Sequence, residues 1–389
     1  MNYKKTLAAA IAASMAISSS AFAAASTGAI PESVEKTEEQ QVPVYTFDEV
    51  YEMAKKNSST LKLLEENSDL LSAQGRALEQ SLGGLTTSGS PMGFTYTPEY
   101  ESIMQLTSLA QTRESDRYNK EAALLSLEGG IINTMNTIVI GERELETSEI
   151  TIANKEADLA LVNLKKSLGT ATETQVTAAQ AELDQAKADA QSAKKSVENA
   201  YSSLATVMGI EDTNFKISYS PEEDYEPYQL IGTLDGFLMQ KNAENPSLKA
   251  MQSSIDYLER NKAFTLANST SPYATDEMNY KISQANSNLK DLRDSLMDAG
   301  RAVYSQIITL EESIEAAESS LKAANDALKV AELNLETGNG IQLDVDKAKE
   351  NVIKLEDSIY KMKVNHGYLV YSFENPGASM GGGSASSGN

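Results

Sequence analysis

The chain has no cysteine and no tryptophan, and its only histidine is His366. Without cysteine it can build no disulfide framework, no thiolate metal site and no thiol nucleophile. A lipid-anchored cysteine behind a leader is excluded for the same reason. With no second histidine, His366 lacks partners for a zinc site or a catalytic dyad. Its ordinary reading is a packed or partly exposed position on a helix seam. Basic residues are scarce too: 33 Lys and Arg stand against 56 Asp and Glu, a formal net charge of −23. Phosphate binding needs a basic surface, so nucleic acid is excluded as a partner. There is no P-loop, dinucleotide fingerprint or nucleophile elbow, and neither an enzyme nor a cofactor is expected. Beyond the N-terminus no run of about 18 apolar residues occurs, so no transmembrane helix is expected.

What is present begins with a leader. Lys4 and Lys5 form a basic start, Leu7 to Ile17 an Ala-rich apolar stretch, and Ala21-Phe22-Ala23 an A-x-A cleavage site. Residues 1–23 read as a signal peptide removed after Ala23, which implies export. Residues 24–43 are rich in Ser, Thr, Glu and Gln, and 378–389 in Gly and Ser. Both read as disordered.

Between these tails heptads dominate. Val176, Ala179, Leu183, Ala186, Ala190, Ala193, Val197, Ala200, Leu204 and Val207 alternate steps of three and four. That is an a/d seam, which packs helices flank to flank. Ile150, Ala153, Ala157, Ala160 and Leu164 keep the rhythm before a break at Gly169. Together they predict an antiparallel hairpin with its turn near Leu168 to Thr172. The pattern recurs. Leu310, Ile314, Ala317, Leu321, Ala324, Leu328, Ala331 and Leu335 form one seam. Val345, Ala348, Val352, Leu355, Ile359, Met362, His366, Leu369 and Phe373 form the returning one. "ETGNGIQLDV" between them reads as a second tip, where Gly338 can end a helix in the left-handed conformation and Asp344 favours the next helix start. "DVDKAKE" lacks the glycine and terminal glutamate of a calcium loop.

The two halves match. Gly169 sets on Gly338, Val176 on Val345, "TFDEV" at Thr46 on "TLDGF" at Thr233, and "STLK" at Ser59 on "PSLK" at Pro246. This is an internal duplication of roughly 170–190 residues, far longer than a solenoid repeat. The expected organisation is a first helical repeat over 44–210, a linker over 211–230 ("YSPEEDYEPYQL", solvated by its acids) and a second repeat over 231–377. The predicted fold is all-α: an elongated pair of coiled-coil hairpins with little or no β structure. Gly129, Gly130 and Gly141 interrupt the first long helix, either as a bend or as tolerated positions.

The ordered set of opening helix ("FDEVYEMAKKNSSTLK", echoed by "NPSLK"), seam-tip-seam units and tandem halves resembles the TolC-like outer-membrane efflux protein family. The resemblance spans about Tyr45 to Gly377. It implies a homotrimer whose hairpins close into a hollow α-barrel, with the tips contacting a periplasmic adaptor protein beside an inner-membrane pump. The tip residues it singles out are Leu168, Gly169, Thr170, Thr337, Gly338 and Asn339. It also implies that Asp344 forms an acidic ring at the pore constriction. Where the family has its second aspartate this chain has Lys347, and the first-half counterpart of Asp344 is Gln175. The family also inserts two membrane strands per half. Here the available segments, Gly83 to Tyr100 and Thr265 to Tyr280, are short and carry Pro91, Pro98 and Pro272, which disfavour sheet ladders. A shortened or missing membrane barrel is therefore expected. Two other classes stay open: a structural coiled-coil spacer of the cell envelope, and the adaptor itself, against which two hairpins and little β signal count.

Overall fold

The computed structural model describes residues 42–83, 98–268 and 271–377. The leader, the first-half insert over 84–97 and the glycine-rich tail lie outside the described residues. Each half opens on a short capped helix. In α1 (Phe47–Asn57) the Thr46 hydroxyl accepts the Glu49 N–H, and the Glu49 carboxylate accepts the Thr46 N–H at 2.9 Å. This reciprocal box satisfies two orphan donors at once. In α5 (Leu234–Glu244) the Thr233 hydroxyl accepts the Gly236 N–H at 3.2 Å. Glycine at that place removes the return bond.

A one-residue break follows each short helix. Ser58 precedes α2 (Ser59–Gly83), and Asn245 precedes α6 (Pro246–Asn268). Pro246 sits in the first helical turn, where an N–H would have no partner anyway. Its ring keeps Asn245 extended, and the Asn245 Oδ1 caps the helix by accepting the Ser247 N–H at 2.9 Å. The long helices complete each half: α3 (Pro98–Ser167) with α4 (Glu173–Met208), and α7 (Ala274–Glu336) with α8 (Gln342–Glu374). With a rise of 1.5 Å per residue, α3 is about 105 Å long. α2 and α6 lie along α3 and α7, α6 also packs on α3, and α3 lies against α8.

The seams of α4, α7 and α8 bury as their periodicity requires. Every seam position from Val176 to Val207 is buried or half-buried, and nearly everything between them is exposed. Leu321 is half-buried, and Leu183 and Ile359 are buried. On α3 the expected frame holds only at Ile150, which is half-buried, and fails from Ala153 onward. Ala153, Ala157, Ala160 and Leu164 face outward, and the inward stripes run through Ile152, Lys155 and Leu159 on one side and Thr147, Thr151, Asn154 and Asp158 on the other. Alanine and leucine surround this stretch of α3, so several heptad frames fit it equally. The frame adopted is the one that brings polar donors to carboxylates on α8.

Gly129 and Gly130 lie inside an unbroken α3. Gly141 has a packing role: a Cβ there would stand 2.5 Å from Val197 Cγ2 of α4. The linker is less solvated than its composition suggests. Its β2 (Lys216–Ser218) pairs in parallel with β1 (Val44–Thr46), tying the start of the first repeat to its end. These two strands are three residues each, too short to read as period-two alternation. Beyond β2 and a 3-10 turn at Pro221–Asp224, Tyr225 packs edge-on against His366 and Tyr228 against Phe373. His366 is buried on the α7–α8 seam, with Nε2 2.7 Å from a Glu311 carboxylate oxygen that also accepts the Tyr228 N–H.

The second-half segment considered for membrane strands is mostly helical. α6 runs to Asn268 and α7 starts at Ala274, whereas one spanning strand needs about 9–11 residues. Among the described residues one helix has the length and apolarity to cross a bilayer by composition alone, α3. Its Ile131, Met135 and Ile138 instead join a core with Val50 and Ala54 of α1 and Leu204 and Met208 of α4.

Candidate functional site: the hairpin tips and the polar seam

Both tips close by one mechanism. α3 ends in a Schellman motif: the Gly169 N–H donates to Lys166 O and the Thr170 N–H to Lys165 O, both at 2.9 Å. At the end of α7 the Gly338 N–H donates to Leu335 O at 3.1 Å and the Asn339 N–H to Asn334 O at 2.8 Å. These residues map onto the first tip under a single offset. Both glycines have φ of 74° with open space around the α-carbon. Glycine is selected here by the left-handed backbone, not by crowding. At the second tip the Thr337 hydroxyl adds a bond to Leu333 O at 2.9 Å, and Asn339 Nδ2 reaches that hydroxyl at 3.2 Å.

The returning helices begin alike. Thr172 and Gln175 form a capping box, with the Thr172 N–H donating to Gln175 Oε1 at 2.8 Å. Asp344 occupies the equivalent third position of α8, where its carboxylate accepts the Ile341 N–H at 3.4 Å. Asp344 is exposed, and its first task in the single chain is to cap a helix. Around the tips Leu164, Leu168, Val330, Leu333 and Ile341 are all exposed, Leu168 to 69%. Lys166 and Glu173 pair across the first turn.

Away from the tips the hairpins are joined by a seam that the apolar pattern did not reveal. Asp357 of α8, its side chain 8% exposed, accepts the Arg143 Nε–H at 2.6 Å and is bonded to the Thr147 hydroxyl. One heptad nearer the tip, Glu350 accepts from Asn154 Nδ2 at 2.6 Å, from the Thr151 hydroxyl at 3.1 Å and from Lys354. Asn154 Nδ2 also reaches Asp346 O at 3.3 Å. Lys347 pairs with Asp158 at 2.6 Å, and Lys361 with Glu144. Lys347 therefore links the two hairpins.

Burial pushes the Glu350 carboxyl up, and the bonds from Lys354, Asn154 and Thr151 outweigh it, leaving its pKa lowered. The Asp357 carboxylate raises the pKa of Arg143. Two carboxylates at heptad spacing, each met by two or three donors, make a polar seam between the hairpins. A half-satisfied network of this kind would cost more than an apolar one. The readable signal in the sequence was the second heptad of α8, Glu350, Asp357 and Val364, offset from the apolar seam. Among the described residues no group of histidines and carboxylates is arranged to hold a metal ion.

Solved structures share this architecture. CusC, studied through the conformational changes accompanying folding and transmembrane channel formation, superposes with a TM-score of 0.64 at 12% identity, covering 84% of this chain and 91% of that one. The Campylobacter jejuni CmeC outer membrane channel gives 0.62 at 13%, with 90% and 94% covered. The Neisseria gonorrhoeae MtrE outer membrane channel, in its open state, gives 0.61 at 14%, with 85% and 89% covered. No protein-family model and no curated protein matches the sequence. The chain thus has the helical trunk fold of the TolC-like outer-membrane channels.

Proposed function

We propose that this chain is a non-enzymatic component of an efflux or secretion conduit in the cell envelope. Three copies would close their hairpins into a hollow helical barrel, with all tips gathered at one end. The observation that carries this reading is the pair of tips closed by the same left-handed glycine motif on duplicated hairpins, within the trunk fold of solved outer-membrane channels. The exposed leucines, valine and isoleucine around those tips suit contact with the hairpins of an adaptor protein. Transport through such a barrel is passive, its energy coming from an inner-membrane pump. Asp344, repeated by threefold symmetry, would present an acidic ring that attracts cations. The signal peptide over 1–23 would deliver the chain to the envelope.

Fractionation and mass measurement of the mature protein test the assembly: a trimer at the outer membrane is expected, and a soluble monomer would remove the conduit. Conductance of the reconstituted protein tests the gate. Asp344→Asn is expected to lower cation selectivity, and unchanged selectivity would remove Asp344 from the constriction. The short α6–α7 connection favours a second reading, a coiled-coil spacer of the envelope without a membrane barrel. Under that reading, deleting the protein leaves export unaltered.

A further inference from the structure

A cavity of about 750 Å³ opens where α5, α6 and α7 meet. Asn242 of α5 lines it and is 3% exposed, yet neither its Oδ1 nor its Nδ2 has a hydrogen-bond partner among the described residues. Buried amides are nearly always satisfied, and one that is not asks for a partner. Duplication supplies a control. Under the offset that sets Thr46 on Thr233, Asn242 corresponds to Lys55, whose ammonium sits at the surface 2.9 Å from Glu52. The first repeat builds the same short helix without a buried amide, so the fold does not require one.

The charges at the cavity point the same way. Arg301 is held by Asp235 and Asp298, both at 2.9 Å, and Asp294 by Lys290 at 3.0 Å. Lys249 and Arg293 line the cavity with no ion pair among the described residues. Other lysines, Lys62 and Lys322 among them, also lack an ion pair among the described residues, so what marks these two cations is their place on the cavity that the buried Asn242 lines. The rest of the wall includes Met239, Leu248 and Met297. Methionines adapt to irregular apolar bodies. A concave site with apolar walls and a few convergent polar groups is the usual form of a small-molecule site.

We propose that this cavity binds a small anionic amphiphile, a carboxylate on a short apolar body. Lys249 and Arg293 take the head group, Asn242 hydrogen-bonds it, and Met239, Leu248 and Met297 cover the body. This inference is independent of the conduit reading, since a spacer with the same shoulder would carry the same site.

Titration calorimetry on the full mature chain tests it. The probes are octanoate, octyltrimethylammonium and octyl glucoside, all below their micelle concentrations. Octanoate is expected to bind at one site per chain, more tightly than the other two. The Lys249→Gln/Arg293→Gln double variant changes only side chains that are exposed or half-exposed, and it is expected to weaken octanoate by about tenfold or more. Asn242→Ala is expected to weaken octanoate while leaving thermal stability unchanged or raised, since it removes an unsatisfied amide. A purely structural Asn242 would give the reverse, lost stability with binding intact. Equal binding of the three probes, or full octanoate affinity in the double variant, overturns the proposal.

Discussion

Arg143 and Asp357, from different repeats of the duplicated chain, meet at 2.6 Å across the α3–α8 contact. Asp357 is almost wholly buried and Arg143 partly exposed, so their removal has unequal consequences. Arg143→Ala leaves a buried carboxylate with the Thr147 hydroxyl as its remaining partner. A hydrogen bond to a charged group contributes about 1.5–3 kcal/mol, and a loss of that size is expected in the denaturant midpoint. Replacing both residues with leucine is expected to cost less than the sum of the single changes. A double-mutant cycle measures the coupling, and additivity would show that the pair is not a working contact.

The Glu350 network sets a pH dependence whose sign follows from its lowered pKa. A carboxyl with a depressed folded pKa contributes stability above its unfolded value, and that contribution is lost as pH falls through the folded pKa. The window therefore lies below the ordinary value of 4.5. Thermal stability is expected to fall as the pH is lowered through that range. Glu350→Gln should be less stable than the parent at pH 7 and converge with it in acid. Parallel curves for the two proteins would place the acid sensitivity elsewhere.

These two contacts also show what was legible in the sequence and what was not. Apolar periodicity located α4, α7 and α8, because Leu183, Ile314 and Ile359 have no stable place except a helix interface. It failed on α3, where Ala153, Ala157 and Ala160 offered an apolar stripe that the structure leaves outside. The deciding residues there are Arg143, Thr147, Thr151 and Asn154. Polar side chains carry no hydrophobic signal, and their partners on α8 look like solvent-facing charges until the register is known. The tips were readable for the opposite reason. A left-handed cap leaves its mark as a glycine at one fixed place in each half. Asn242 could not be found from sequence at all, since its interest lies in the lack of a partner.

The matched caps predict matched costs. Gly169→Ala and Gly338→Ala each force a β-carbon into the left-handed region, at about 1–2 kcal/mol. No neighbouring atom lies near either position. The losses are therefore expected to be similar at the two tips and partly recovered by asparagine, which tolerates that backbone. Thermal melts of the four variants check this. A much larger loss at one tip would mean that it carries packing in the assembled protein that the single chain lacks.

Gly141 tests close helix packing. An alanine there would place its Cβ 2.5 Å from Val197 Cγ2. Valine cannot swing aside cheaply, because its branched side chain has essentially one rotamer in a helix. Overpacking of this kind costs about 1–3 kcal/mol. Against it, alanine gains up to about 1 kcal/mol over glycine in a helix interior. Gly141→Ala alone is therefore expected to destabilise by about 1 kcal/mol, the difference between those two effects. Val197→Ala removes the obstructing methyls, so in that background the same Gly141→Ala change should become stabilising. The reversal of sign, read from denaturant midpoints of the four proteins in the cycle, separates a steric role for Gly141 from a hinge in α3. A hinge glycine would lose stability or function on substitution whatever stands at Val197.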